Sequence, residues 1–313
     1  MEHTQDLREY AFIIGNGLNR CANSATITWK KLAEATYCNQ IPGSSKFDLL
    51  GFTNTEIFDL IIAKKQSMSG QPLRSYVVQN YNSTLNIGTN PFIKAFANKL
   101  DIMNVPVLST NYDGCIESAL GLKPHWNNPS FLGKSTYYPM NRYYAKHKID
   151  NIKENFGVWH IHGEFGAYSG TIVPKISDSI RLSSTDYLGL SEKIRDIIYQ
   201  HNGQSLTINV AAQSWKGKGT WLEILFEKPL YIIGWGAGKD EFILRWLLLW
   251  RYRYMMSKDT KHQDIFVCCK KEITSGCRIE YIGKINFFRQ IGFDVVETDD
   301  YCEQYEMIIG LKK

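Results

Sequence analysis

Short apolar runs ending in polar, glycine-bearing turns recur along this chain, separated by segments whose apolar residues fall at three-and-four spacing. "AFIIG", from Ala11, leads into the turn Gly15-Asn16-Gly17. "TWKKLAEATYC" follows, with Thr28 as a cap before Trp29, Leu32 and Ala33. This predicts strand, glycine turn, helix. "VPVLSTNYDG" and "FGVWHIHGEF" read as strands ending in polar turns, the first followed by the short helix "CIESALG", and "GTIVP" ends another strand. "PLYIIGWGAGKDEFILRWLLLWR" repeats the opening pattern with a helix from near Asp240. "DIFVCC" and "FDVVETDD" supply the last strands on either side of the helix "IGKINFFRQIG". Such alternation predicts an α/β fold, a doubly wound parallel Rossmann-like sheet whose polar strand ends gather along one ligand-binding edge.

Helical segments such as "NTEIFDLIIAKKQSM" and "NPFIKAFANKLDIM" make residues 42–104 a helical insertion, and helices with polar loops make 176–228 a second. No repeat and no low-complexity linker divides the chain, so residues 1–313 read as one domain. "FILRWLLLWRYRYMM" is interrupted by Arg245, Arg251 and Arg253 and is too short to span a bilayer; it reads as a helix buried in this chain or against another copy.

The composition removes other classes. An apolar fraction of 44% is that of an ordinary globular protein, and the formal charge of +5 comes without blocks of like charge, so nucleic-acid binding is not indicated. The seven cysteines (Cys21, Cys38, Cys115, Cys268, Cys269, Cys277 and Cys302) are odd in number and scattered, and no secretory pattern opens "MEHTQDLREY". They predict a reduced, cytoplasmic protein, and no C-x-x-C pair suggests a zinc ribbon.

The candidate chemistry lies in the four turns. The glycines of Gly15-Asn16-Gly17 either make a tight strand-to-helix turn or let backbone N–H groups approach a pyrophosphate. A hydride-transfer fingerprint would need another glycine at Arg20 and an acidic residue on a second strand, and has neither. Asn111 and Asp113 are common turn formers; functionally, the amide suits a ribose hydroxyl or a water, and the aspartate suits the turn or the ribose. His160 and His162 share a face if their strand continues, but no further ligands point to a metal, and His162 beside Gly163 reads as a single general base. Gly234 and Gly236 would let backbone pass close to a ligand, while tryptophans such as Trp29 and Trp235 are more often core than cofactor-stacking residues. P-loop and G-x-S-x-G motifs are absent.

In order, "IIGNGLN", "LSTNYDG", "WHIHGEF" and "LYIIGWGAGKDE" resemble the G-A-G-x-S loop, T-Q-N-x-D turn and H-G turn with which sirtuins surround NAD. More narrowly, the chain resembles bacterial sirtuin-like antiviral NADases, found in Thoeris effectors and beside HerA-type ATPases; "IGNG" also resembles AbiH-type abortive-infection proteins. The likeness implies Asn111 as the catalytic asparagine, His162 as the base and Asp113 as organiser of turn and ribose. It implies an NAD pocket lined by Gly15, Asn16, Gly17, Asn19, Thr110, Gly234, Trp235 and Gly236. Thr110 stands for the family's glutamine, and Asn16 and Asn19 for its alanine and serine. The zinc-binding cysteine pairs of deacetylating sirtuins are absent, so the likeness implies NAD hydrolysis rather than deacetylation, with no metal. It further implies a homo-oligomer and a regulatory partner, for example a HerA-type ATPase. An NAD- or ADP-ribose-binding subunit without turnover is the other expectation.

Overall fold

The apolar runs become central strands because both faces of their sheet are covered. A computed structural model describes residues 6–82, 90–127, 140, 142–164, 180–202, 205–208, 215–238, 241–259, 262–270 and 278–310. Its strands are β1 (Ala11–Ile14), β2 (Pro106–Ser109), β3 (Lys123–Trp126), β4 (Arg142–Ala145), β5 (Gly157–His160), β6 (Tyr199–Asn202), β7 (Ser205–Ile208), β8 (Leu230–Ile233), β9 (Asp264–Cys269) and β10 (Phe293–Thr298). Eight of them form one sheet in the order β10-β9-β8-β1-β2-β5-β4-β3. From β10 to β5 every pairing is parallel; taken in chain order those six strands lie 3-2-1-4-5-6, an arrangement compatible with a Rossmann-like fold.

Two pairings correct the expectation of a wholly parallel sheet. β4 runs antiparallel to β5, and β3 antiparallel to β4. Residues 146–156, between β4 and β5, hold no crossover helix, which a parallel return would require. The second insertion also differs from its reading as helices and loops, since β6 and β7 pair there antiparallel, from Tyr199 opposite Ile208 to Asn202 opposite Ser205. "GTIVP" and Asp240 lie outside the described residues.

The helices are α1 (Gly17–Ala22), α2 (Trp29–Gln40), α3 (Asn54–Lys64), α4 (Gln71–Asn82), α5 (Pro91–Met103), α6 (Cys115–Leu120), α7 (Ser184–Ile198), α8 (Trp221–Glu227), α9 (Phe242–Ser257), α10 (Arg278–Gln290) and α11 (Tyr301–Ile309). Phe12, Ile14, Val107, Val158 and Ile233 pack with residues of α1, α5, α6 and α11. The alternate positions Ile13, Leu108, Trp159, Ile232 and Phe266 pack with α7, α8, α9 and α10. Burial on both faces explains why these strands read as unbroken apolar runs rather than as an alternation. A third core joins Leu32, Tyr37, Phe58, Ile61 and Val77 of α2, α3 and α4 to Tyr112 and Leu182, so this helical layer sits over the polar strand ends.

Among the described residues no helix is long and apolar enough to cross a membrane. In α9 the arginine that interrupts the apolar run is itself buried. Arg251 forms a two-pronged ion pair with Asp264 and donates from Nη2 to Lys228 O at 2.9 Å, while Leu230 N donates to Asp264 Oδ1 at 2.8 Å. One carboxylate thus ties α9 to the starts of β8 and β9. A second link corrects the all-reduced reading of the cysteines: Cys21 on α1 and Cys302 on α11 form a disulfide across 281 positions, with Cα atoms 5.1 Å apart.

Removing Asp264 leaves a buried guanidinium without its counter-charge, a loss of about 3–5 kcal/mol. Asp264→Ala is expected to lower unfolding stability by that amount in urea titrations, whereas Asp294→Ala, at an exposed position of β10, should change it little.

Candidate functional site

The glycine turns after β1 and β8 meet back to back. Gly15 N donates to Ile233 O at 3.0 Å, and Gly17 N to Gly234 O at 2.9 Å. A Cβ on Gly15 would stand 2.5 Å from both Gly234 O and Trp235 Cα, and one on Gly17 2.6 Å from Gly234 Cα. Gly234 has φ +63°, and a Cβ there would stand 1.9 Å from Tyr305 OH. Gly15 and Gly17 are therefore required by turn-on-turn packing, and Gly234 by its left-handed backbone and the tyrosine against it, whatever the turns bind. Gly236 is different: a Cβ there would meet nothing within 4 Å.

Beside this junction lies a cavity of about 270 Å³. Of the residues singled out from the sequence, Asn16, Gly17, Thr110, Asn111, His162, Gly234, Trp235 and Gly236 line it; Gly15, Asn19 and Asp113 do not. The indole of Trp235 is buried and packs edge-on to Phe288, so that residue offers the cavity little beyond its backbone.

Asn16 and Asn19 form one network with Asp113. Asn19 Nδ2 donates to Asp113 Oδ2 at 2.6 Å and to Asn16 Oδ1 at 3.2 Å. Tyr81 OH lies 3.1 Å from Asn16 Oδ1 and 3.2 Å from Asp113 Oδ2. The other carboxylate oxygen of Asp113 accepts from Cys115 N at the start of α6. With both oxygens engaged and the residue buried, Asp113 organises the turn and ties it to α1 and α4.

Asn111 and His162 have a different status. Asn111 N donates to Ser109 Oγ at 3.2 Å and its carbonyl accepts from the His160 ring, while its side-chain amide, 7% exposed with its residue, has no hydrogen-bond partner among the described residues. His162 is 2% exposed; neither ring nitrogen has a hydrogen-bond partner among the described residues, although Nε2 lies within 2.9 Å of the carboxylate oxygen Glu241 Oε2. Gly163, at φ +84°, supplies the turn that ends the strand before His162 can share a face with His160. Both side chains thus stand on one cavity wall without a hydrogen bond to the described residues.

The two histidines do not form a pair. His160 points under the turn, its Nδ1 2.7 Å from Asn111 O and its Nε2 2.6 Å from Glu117 Oε1. Glu164 Oε2 stands 4.0 Å from Nε2 and is itself paired with Arg142, and the ring of Tyr144 meets the imidazole edge-on. Both partners of the ring nitrogens are acceptors, which favours a doubly protonated imidazolium. Burial opposes that charge, but the Glu117 carboxylate, with Glu164 and the Asn111 carbonyl, outweighs it and raises His160 to about 9. His160 is a clamp between α6 and the Asn111 turn.

Sequence reasoning left out part of the wall. Glu241 closes the "GWGAGKDE" stretch, and its acidic side chain just ahead of a helix was a readable signal. Trp29, at 4.9 Å between ring centroids from Tyr112, forms an aromatic wall with it; Tyr112 OH in turn lies 3.1 Å from Tyr187 OH. Nothing local marks Tyr112, Tyr187 or Tyr81 as site residues. Among the described residues Arg20 and Lys30 are the cations of the lining and Glu241 its carboxylate; Arg20 Nη1 donates to Tyr301 OH at 3.0 Å and the guanidinium stacks 4.6 Å over that ring. No group of three His, Cys, Asp or Glu side chains gathers as for a metal among the described residues.

The chain matches no family model and no curated protein. The chemical reading therefore rests on the wall itself: an asparagine side chain, a histidine beside a carboxylate, an aromatic face and, among the described residues, two cations.

Two measurements check this account. Gly15→Ala, whose Cβ meets fixed backbone, should destabilise the protein by about 1–3 kcal/mol in denaturant, while Gly236→Ala should leave stability unchanged. For His160 the sign follows from the raised folded value. Its stabilisation is complete below pH 6.5, the ordinary value, and disappears as pH rises through about 9. The urea midpoint of the wild type is expected to fall over that window, and His160→Gln should remove this component of the slope.

Proposed function

We propose that the protein is an NAD glycohydrolase, cleaving the nicotinamide–ribose bond of NAD to give nicotinamide and ADP-ribose. The observation that carries this reading is the meeting, on one wall of the cavity at the β1–β8 junction, of the Asn111 side chain and of His162, whose ring nitrogens have no hydrogen-bond partner among the described residues. The 3-2-1-4-5-6 strand order supports it, since ligands of such sheets bind where the order reverses. We read the sheet accordingly as the doubly wound, sirtuin-like kind.

The chemistry asks little of the protein in acid assistance, because nicotinamide leaves NAD as a neutral base from an already cationic ring. The residues need to hold the ribose and present a water as positive charge develops on the sugar. In this reading the Asn111 amide holds a ribose hydroxyl or the water, and His162 accepts the water's proton. Glu241, 2.9 Å from Nε2, orients the imidazole and balances the charge it gains. Arg20 and Lys30 are placed on the wall to meet phosphate oxygens, and the Trp29–Tyr112 face offers a ring surface for a base. Loss of NAD would serve abortive antiviral defence, in a homo-oligomer or with a partner such as a HerA-type ATPase.

Nicotinamide release from NAD, followed by HPLC with the purified protein, is the direct test. Asn111→Ala and His162→Ala are each expected to reduce release at least about 100-fold with the fold intact by circular dichroism, and a near-wild-type rate removes that residue from the mechanism. If no release occurs while NAD still raises the melting temperature, the protein is an NAD-binding subunit without turnover.

A further inference from the structure

We propose that the Cys21–Cys302 disulfide is a redox latch on this cavity, closed in the oxidised protein and opened by a dithiol reductant. The proposal rests on the NAD reading only for the ligand used to measure it. Its basis is the position of α11. Tyr301, the first residue of that helix, lines the cavity and accepts from Arg20. Gln304 Oε1 accepts from Gly234 N at 3.2 Å, and Tyr305 lies directly under Gly234. The opening turns of one helix thus support both the Arg20 side of the wall and the second glycine turn.

α1 carries Arg20 next to Cys21, and α11 carries Tyr301 next to Cys302. The S–S bond therefore joins the two residues adjacent to the Arg20–Tyr301 pair. Both cysteines are half-buried rather than sealed in the core, so a small reductant reaches them more readily than Cys115, Cys268 or Cys269, which are buried. Reduction adds two electrons and two protons, breaks the S–S bond to two thiols, and leaves the dithiol as its own disulfide. Tyr305 and Ile308 remain in the core under β1 and β8, so the fold does not depend on the bond. What the bond adds is a covalent limit on how far α11 can move from α1, and with it the fixed placement of Tyr301, Arg20 and the Gly234 turn. Under reducing conditions the wall is loosened, and oxidation closes it.

The test compares the full-length protein before and after treatment with dithiothreitol. Mass spectrometry of non-reduced peptides is expected to show Cys21 joined to Cys302. On reduction, hydrogen exchange should speed up in the first turns of α11 and at Gly234, with β9 and β10 unchanged. Calorimetry with ADP-ribose should show affinity falling about ten-fold on reduction, a coupling within the usual range. Cys302→Ser should have the weaker affinity with or without reductant, and Cys38→Ser should behave as wild type in both states. Absence of the cross-linked peptide, or equal exchange in the two states, overturns the latch. Equal ADP-ribose affinity in the two states also overturns it. If ADP-ribose binds in neither state, the NAD reading fails instead, and exchange at α11 and Gly234 decides the latch alone.

Discussion

The site depends on one close approach, the backbone contact between the turns after β1 and β8. Gly17 N to Gly234 O at 2.9 Å and Gly15 N to Ile233 O at 3.0 Å leave no room for side chains between the two turns. At that junction the chain order of the parallel strands reverses, so the helices following β1 and β8 diverge to opposite faces and leave a crevice above. The glycines serve the crevice indirectly, by letting its two floor segments touch.

Above this floor the site separates rigid polar groups from free ones. Asp113, Asn16, Asn19 and Tyr81 satisfy one another, and His160 ties the Asn111 carbonyl to Glu117. In a buried region each of these bonds is costly to break, so the turn carrying Asn111 is held from both sides. The Asn111 side chain and the His162 ring face the cavity beside this network without a hydrogen bond to the described residues.

The helical layer of α2, α3 and α4 gives the crevice its far wall. Its core is shared with Tyr112 and Leu182 from the polar turns, so the layer is packed onto the strand ends and not appended to them. That packing brings Trp29 against Tyr112 and Tyr81 against Asp113. It also explains how the first loop is held: Asn16 and Asn19 bond to a tyrosine and an aspartate brought from elsewhere in the chain.

The sequence by itself determined the strands that are buried on both faces, because an unbroken apolar run bounded by a glycine turn has few other uses. It also determined that Asn111, His162 and the glycines of both turns lie at strand ends, since each follows directly on such a run. It did not reveal β3, β4 or the β6–β7 hairpin, whose short polar sequences carry no clear period. Nor did it separate His160 from His162: two positions apart is the same face of a strand, and only the end of β5 at His160, with Gly163 at φ +84°, turns one toward Glu117 and the other toward Glu241. The partners of Asp113, the role of Gly15 and the link from Cys21 to Cys302 were decided by tertiary structure alone. Each joins residues far apart in the chain, and such contacts are set by how the layers pack rather than by any local pattern.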